Sequence, residues 1–143
     1  MRIHLLLLLV ACRPVSTSFV GTNEYSSAIT VDVIKEINKQ AGCKWLNVGQ
    51  QDGTKVRTDS KFLSENKLLG YDDFFTGSII IEDETEFNRF INLTTMVHEV
   101  GHTVGLEHSD GGVMDVDYKK VSLSNSVASL VELAKQKGAI DCH

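Results

Sequence analysis

The sequence lacks several patterns that would each indicate a particular class of protein. It has no basic cluster, and its 14 Lys and Arg against 19 Asp and Glu give a net charge of −5, so nucleic acid and anionic membranes are not expected partners. It has no internal repeat, heptad or low-complexity tract, which disfavours solenoids and coiled coils. Its 143 residues are too few for two ordinary domains, and 42% of them are hydrophobic. The sequence therefore predicts one globular domain, which we expect to be a monomer.

No apolar stretch is long enough to span a bilayer, and the longest one lies at the N-terminus. In "MRIHLLLLLVACRPVSTSF", Arg2 precedes a run that is apolar apart from His4, and small residues follow. This order predicts a secretory signal peptide over 1–18, cleavage after Ser18, a secreted product and no integral membrane segment in the mature chain. A buried N-terminal strand or helix is one alternative. In another, "LVAC" is a bacterial lipoprotein box and Cys12 carries a lipid anchor.

Cysteine is scarce, with three in the chain, of which Cys12 lies inside the predicted signal peptide. Cys43 and Cys142 remain, and an even pair in a small secreted domain predicts one disulfide. It would close a loop of roughly 100 residues and stabilise the fold by about 2–4 kcal/mol. Two free thiols are the alternative if the leader is not a secretion signal.

Hydrophobic periodicity divides the remaining chain into helices and strands. The helices are predicted over 26–42, 91–106 and 123–138. The strands are predicted over 44–49, near Val56, and as two runs within 68–84. Ser27 and Asn92 are the expected N-caps of the first two helices, and Gly42 is expected to end the first. This pattern predicts a small sheet with helices packed on it.

One short segment, "HEVGHTVGLEH", carries three of the five histidines and begins at His98. His98 and His102 are four residues apart, so both rings leave the same face of an α-helix and can share one ion. Gly105 can adopt a positive φ and end that helix, after which His108 can return from the loop as a third ligand. Glu99 lies one step round the helix, where a general base acts on a metal-bound water.

Three neutral imidazoles leave the fourth tetrahedral position of Zn²⁺ open for water, which is typical of a catalytic site. The alternative is a set of core histidines that are satisfied by hydrogen bonds. The five specified positions of HExxHxxGxxH arise by chance in this chain with a probability on the order of 10⁻⁵. A hydrogen-bonded core would also not require a helix-ending glycine between the histidines. The segment therefore predicts one catalytic zinc ion.

HExxHxxGxxH followed by a methionine turn resembles the metzincin zinc endopeptidases. Met114, in "GGVMD", matches their methionine, which lies beneath the metal in a tight turn and does not bind it. Ser109, directly after the third ligand, and the order of the elements are similar to the matrixin branch. The resemblance implies an α/β, metzincin-like zincin fold over 19–143. It would have a small twisted mixed β-sheet and three α-helices, with the active-site helix ending at Gly105.

The same resemblance implies a secreted zinc-dependent endopeptidase acting on protein or peptide substrates. A zinc-bound water would attack the peptide bond, with Glu99 as the general base that later protonates the leaving amine. The alternative is a catalytically weak metzincin-like zinc module that binds a protein partner or acts as a decoy. Glu99 argues against this alternative, because a metal-binding scaffold needs the histidines and not the base.

In matrixins an extended peptide pairs antiparallel with an edge strand above the zinc, and the segment 68–72 resembles that strand. The main-chain bonds to substrate would come from Leu69, Gly70 and Tyr71. The residue after the scissile bond would enter a pocket walled by the histidine helix and by Val116 to Tyr118. The side chains of Val116 and Tyr118 predict a preference for an apolar residue at that position.

Two further features concern metal ions. The segment "EDETE" clusters four carboxylates over 82–86, and the comparable segment of matrixins contributes to a calcium site. A Ca²⁺ site and carboxylates placed near a helix N-terminus both remain open as interpretations. No histidine lies between His4 and His98, so the second, structural zinc of matrixins is not expected.

Overall fold

The computed structural model describes residues 16–49, 51–73, 75–86 and 88–143. The strands are β1 Ser18–Gly21, β2 Asn47–Val48, β3 Thr54–Thr58, β4 Tyr71–Asp73 and β5 Ser78–Ile81. The helices are α1 Glu24–Ala41, α2 Ser60–Glu65, α3 Arg89–Thr103 and α4 Leu123–Gln136. The described chain is therefore an α/β protein, as the hydrophobic periodicity predicts.

The five strands form one mixed sheet in the order β2-β1-β3-β5-β4. β1 pairs in parallel with β2 and β3, and β3 pairs in parallel with β5, whereas β4 runs antiparallel to β5. All four residues of β5 are buried, as its continuously apolar sequence predicts. Within the described sheet, β4 has a neighbour on one side only, so its outer edge offers backbone N–H and C=O groups for pairing.

The long helices pack on the sheet and on one another. α1 lies against β1, β2 and β3, α3 lies against the β4–β5 hairpin, and α4 packs on α1 and α3. The core between them contains Phe19, Ile34, Trp45, Val97 and Leu130. Burying one such large apolar side chain contributes about 1.5–3 kcal/mol. This packing fixes α3, which carries the first two histidines, beside the edge strand β4.

The described residues contain four helices and not the predicted three. The additional helix, α2, is short and buries only Leu63, so it leaves no hydrophobic periodicity in the sequence. Strand β1 is also absent from the predicted strands, because it has one buried residue and begins at Ser18, the last residue of the predicted signal peptide. In the structure Ser18 begins β1, and the N–H of Ser16 donates to the carbonyl of Thr103 at 3.2 Å. Residues 1–15, which hold most of the predicted signal peptide and Cys12, lie outside the described residues.

Two predicted N-caps are wrong, because several polar residues near a helix start can make the capping hydrogen bond. α1 is capped by Asn23, in a reciprocal capping box, and not by Ser27. α3 follows Asn88, and Asn92 lies buried inside the helix. The Asn92 side chain accepts from the N–H of Glu82 and donates to its carbonyl, both at 3.1 Å. Asn92 therefore ties α3 to the end of β5.

The predicted disulfide between Cys43 and Cys142 is present and joins residues 99 positions apart. α1 ends at Gly42, whose φ of 76° lets the chain turn directly before Cys43. Beside the disulfide, the N–H of His143 donates to the carbonyl of Lys44 at 2.9 Å. The C-terminal segment is therefore fastened to the end of α1. None of the helices in the described residues combines the length and apolarity that crossing a membrane requires.

Candidate metal centre

The centre begins on α3, where His98 and His102 leave the same face with their Nε2 atoms 3.1 Å apart. α3 ends at Thr103, and Gly105 has a φ of 97°, which favours glycine. The turn returns His108 to the helix, with its Nε2 3.1 Å from that of His102. The three predicted ligands are thus brought together, and their ligand atoms all lie within 4.8 Å of one another.

Backbone carbonyls orient two of the three rings. The Nδ1 of His98 lies 2.6 Å from the Val113 carbonyl oxygen, and the Nδ1 of His102 lies 2.9 Å from that of Leu106. A carbonyl oxygen only accepts, so each Nδ1 carries the proton and each Nε2 presents a lone pair. Two lone pairs 3.1 Å apart repel each other, and a shared cation turns this repulsion into attraction. The group could therefore hold a metal ion.

Burial keeps His98 in the form that binds metals. The residue is 4% exposed, and desolvation lowers the pKa of His98 below its ordinary value of 6.5. The hydrogen bond with Val113 raises this pKa and the nearby His108 lowers it, and both effects are smaller than that of burial. At neutral pH the ring is therefore a neutral imidazole, which is the protonation state that a metal ligand requires.

Met114 packs against α3 between the two helical histidines. Its side chain is buried, and a Cβ at Gly101 would lie 2.3 Å from its Sδ atom. The turn around it is closed by hydrogen bonds from the N–H of Ser109 to the Met114 carbonyl at 3.0 Å, and from the N–H of Asp115 to Gly112 at 3.2 Å. Met114 therefore lies in a turn that packs against α3 at Gly101, one residue before His102.

Asp115 organises the loop between α3 and α4. Its carboxylate accepts from the N–H of Asp117 at 2.9 Å and of Gly111 at 2.7 Å, and these bonds lower the pKa of Asp115 below its ordinary 3.8. The N–H of Val113 donates to the hydroxyl of Ser129 on α4 at 2.9 Å. The loop is thus held on both sides of the carbonyl that orients the first histidine.

A cleft of about 620 Å³ opens over the three histidines. Glu99 lines it and is 6% exposed, so its carboxylate lies largely out of bulk solvent. The predicted substrate-binding residues also lie in its wall: Leu69, Gly70, Tyr71, Val116 and Tyr118. β4 begins at Tyr71, so Leu69 and Gly70 precede the strand and do not belong to it, unlike the prediction. The structure therefore brings the predicted ligands, Glu99 and the predicted substrate-binding residues together in one cleft.

Tyr118 contacts the histidine group from the loop. Its ring stacks on that of His98, with centroids 4.3 Å apart and planes inclined by 26°, and its hydroxyl lies 3.2 Å from Oγ1 of Thr95. Burial raises the pKa of Tyr118 above its ordinary 10.0, and the smaller effects of Thr95 and Glu99 lower and raise it, respectively. Tyr118 is therefore a neutral, anchored wall of the cleft at neutral pH.

Sequence reasoning missed Thr95, Gly101 and Asp115. A Cβ at Gly70 would lie 2.3 Å from Cγ2 of Thr95 and 3.5 Å from Cγ of Glu99, so this glycine passes directly over α3 beside the carboxylate. These contacts join segments that are distant in sequence and leave no local pattern. Only Gly101 gives a local signal, since a glycine inside a helix often marks a close approach.

Among the described residues, the carboxylates of the acidic segment 82–86 do not form a group of three or more that could share a metal ion. The carboxylate of Asp83 accepts from the N–H of Ser60 at the first residue of α2 at 3.4 Å, and that of Glu82 accepts from the Ser60 hydroxyl. The interpretation as carboxylates near a helix N-terminus therefore fits the structure. Within the described ranges, the three histidines are the one group of three or more His, Cys, Asp or Glu side chains close enough to hold a metal.

Comparisons with known proteins leave the family open: no family model matches the chain, and no curated protein matches it. The functional interpretation depends on the geometry. The ligand atoms of three imidazoles lie within 4.8 Å of one another, the Glu99 side chain lines the same cleft, and the cleft lies next to a sheet edge. Such an arrangement can bind one metal ion and an extended ligand.

Proposed function

We propose that this chain is a secreted, zinc-dependent endopeptidase of the metzincin type. The observation that carries the proposal is the convergence of three histidine Nε2 atoms at an open cleft that Glu99 also lines. A metal site used only for structure takes four protein ligands and is closed, whereas three ligands and a cleft suit a reaction. The carboxylate beside the ligands supplies the base that such a reaction requires.

Zinc fits this donor set. Nitrogen ligands suit zinc, whereas Ca²⁺ and Mg²⁺ prefer oxygen ligands. Two Zn–N bonds of about 2.05 Å at the tetrahedral angle separate the nitrogen atoms by about 3.3 Å. The two Nε2 separations of 3.1 Å are close to this value. His98, His102 and His108 would hold the ion, and the carbonyls that accept from Nδ1 would keep two of the rings in the ligand tautomer.

The residues of the chain would divide the work of hydrolysis. When bound, zinc would supply Lewis acidity, which polarises a peptide carbonyl and lowers the pKa of water. Glu99 would accept a proton from water in the cleft and deliver it to the leaving amine. Its low exposure strengthens its interaction with charge that develops in the cleft. Tyr118 and the Val113 carbonyl would keep the His98 ring in place.

The metzincin type is supported by the two turns around the site. Gly105 has the positive φ that returns His108 to the helix, and Met114 packs against that helix. Secretion is supported by the disulfide, because disulfides persist in oxidising compartments. A substrate peptide would pair antiparallel with the outer edge of β4, and the residue after the scissile bond would contact Val116 and Tyr118. We expect that residue to be apolar.

Cleavage of a peptide library, with and without a chelator, tests the proposal. Wild type should bind one zinc ion per chain and cleave, and Glu99→Gln should retain the zinc but lose about 10²-fold or more of the cleavage rate. His108→Ala should lose stoichiometric zinc, because a two-histidine site binds weakly. Equal residual activity in wild type and Glu99→Gln would favour the alternative of a zinc module that binds a protein without cleaving it.

A further inference from the structure

One lysine stands in the wall of the cleft. Lys67 lines it together with Leu68, Gly70 and the three histidines, and it is the one Lys or Arg among the described residues of that wall. On the preceding turns Lys61 is 3.9 Å from Glu65, but Lys67 has no such pairing with a carboxylate of the described residues. The cleft therefore contains a cation that is available to a bound ligand.

The backbone of Lys67 has a conformation that L residues rarely adopt. Its φ is 55°, and no other residue except glycine has a positive φ in the described ranges. After the other three helices this conformation belongs to glycines: Gly42, Gly105 and Gly138. A glycine at position 67 would make the same turn without steric cost. Strain held at the wall of a cleft suggests that the lysine side chain has a role there.

The turn at Lys67 leads the chain into the cleft. The N–H of Lys67 donates to the carbonyl of Ser64 at 3.2 Å, and that of Leu68 donates to the carbonyl of Leu63 at 2.9 Å. These bonds end α2 in the manner of a Schellman motif, with Lys67 as the left-handed residue. They fix the position of Lys67 relative to the segment that passes over the histidine helix.

The position of Lys67 determines which part of a substrate it would meet. Gly70 lies next to Glu99, since a Cβ on it would be 3.5 Å from the Glu99 Cγ. Lys67 is three residues earlier, and because it lies in a turn and Leu69 in a bend, it is no more than about 10 Å from Gly70. In a peptide antiparallel to β4, the residues after the scissile bond run from Gly70 towards Lys67. A group near the third residue after the scissile bond would therefore come within reach of the Lys67 ammonium.

We propose that Lys67 recognises a carboxylate of the substrate, near the third residue after the scissile bond. The inference rests on the proposed function, because peptide pairing with the β4 edge sets the direction. Within a peptide the carboxylate comes from an acidic side chain or from a free C-terminus, and both present the same group to an ammonium ion. Lys67 is thus a specificity residue, distinct from the apolar contacts that the first residue makes with Val116 and Tyr118.

Binding is measured on zinc-loaded Glu99→Gln, in which peptides stay intact and the histidines are unchanged. Labelled peptides place an apolar residue after the expected scissile bond, carry Ala, Glu or Lys at the third position after that bond, and have an amidated C-terminus. A fourth peptide has Ala at that position, which is also its last residue, and a free carboxylate. Fluorescence anisotropy gives the Kd of each peptide for Glu99→Gln alone and for Glu99→Gln combined with Lys67→Gly, Lys67→Arg or Lys61→Ala. Lys61→Ala is the control for net charge, because it also removes one positive charge, but from a position on α2 that does not line the cleft.

The Glu peptide should bind about three- to fivefold more tightly than the Ala peptide, as expected for a partly exposed ion pair. Lys67→Gly should abolish the advantage while it relieves the backbone strain, and Lys67→Arg and Lys61→Ala should retain it. An advantage confined to the free C-terminus identifies that source of the carboxylate. The inference is overturned if the ratio of Kd values between the Ala peptide and the carboxylate-bearing peptides is the same with and without the Lys67 side chain. It is also overturned if no variant binds any peptide.

Cleavage by the protein with Glu99 intact separates this inference from the proposed function. Cleavage of all four peptides at rates that do not depend on Lys67 would remove the inference and leave the endopeptidase. Binding that depends on Lys67 without any cleavage would remove the endopeptidase and leave a carboxylate-binding cleft. The two failures are therefore distinguishable with the same peptides.

Discussion

Two glycines set the distance between the histidine helix and its neighbours. A Cβ at Gly101 would lie 2.3 Å from Sδ of Met114, and a Cβ at Gly70 would lie 2.3 Å from Cγ2 of Thr95. Glycine inside a helix costs about 1 kcal/mol relative to alanine, so Gly101 is unfavourable for α3 considered alone. Both glycines provide space, and the arrangement of the histidine group depends on close packing on two sides of one helix.

The substitution Gly70→Ala tests this packing. We expect it to destabilise the protein by about 1–3 kcal/mol, because the new methyl group overlaps the Thr95 methyl and one of the two segments must move. In a Thr95→Ser background the same substitution should cost less, because serine lacks that methyl group and keeps the hydroxyl that contacts Tyr118. Urea unfolding of the four proteins gives the interaction energy. Additive effects, within about 0.5 kcal/mol, would contradict the contact.

The residues of the site divide into those that local spacing predicts and those that it does not. His98 and His102 follow from helical geometry, and His108 follows from the glycine that ends the helix. Thr95 cannot be predicted in this way, because its partners lie 23 and 25 positions away and meet it only after the sheet and loop have formed. Lys67 gives no signal either, since a positive φ at a lysine is visible only in the structure.

At the scale of elements, the loop between α3 and α4 has three functions in the site. It supplies the Val113 carbonyl that orients His98, it buries Met114 against the helix, and it carries Tyr118 into the cleft wall. The Asp115 carboxylate joins two backbone N–H groups of this loop. The loop should therefore lose order when that carboxylate is neutralised.

The substitution Asp115→Asn tests this role through pH. Its hydrogen bonds lower the folded-state pKa of Asp115 below 3.8, so its stabilisation is present above about pH 3.8 and is lost as the pH falls through the lowered pKa. Wild type should exceed Asp115→Asn in urea midpoint at neutral pH, and the difference should narrow in acid. Metal-free protein is used, because acid also releases metal from histidines.

Asp117→Asn is the control for net charge. It removes one negative charge but keeps the backbone N–H of residue 117, which donates to the Asp115 carboxylate. A difference between wild type and Asp115→Asn that stays constant down to the acid limit would show that the carboxylate charge is not what holds the loop. If Asp117→Asn also has a lower urea midpoint than wild type at neutral pH, and that difference also narrows in acid, the effect comes from net charge.

The elements show where periodicity succeeds and where it fails. α1, α3 and α4 each bury a stripe of apolar residues, and all three are predicted from the sequence. α2 buries one residue, and β1 contains one buried residue, Phe19, so neither has a pattern to detect. The wrong caps have a different cause, because a cap depends on one hydrogen bond and several polar residues near a helix start can make it. Asn92 instead bonds the backbone of Glu82.

At the scale of the whole molecule, the cleft forms where three distant segments meet. The segment 67–72, which includes the start of β4, contributes one wall, and the helix α3 and the loop after it contribute the others. The sheet order places β4 at the edge beside α3. The sequence predicts an edge strand here only through the resemblance. The strand order itself depends on long-range pairing, which hydrophobic periodicity does not specify.

The disulfide acts at this scale, because Cys43 and Cys142 close a loop that contains the strands β2 to β5 and the helices α2, α3 and α4. A loop of 99 positions restricts the unfolded chain strongly, so Cys43→Ala combined with Cys142→Ala should lower the free energy of unfolding by about 4 kcal/mol. Neither cysteine lines the cleft, so the folded double variant should still bind one zinc ion per chain. Urea unfolding and metal analysis of the same samples measure both quantities. An unchanged urea midpoint would show that the bond adds no stability, and zinc loss from protein that remains folded would show that it supports the metal centre directly.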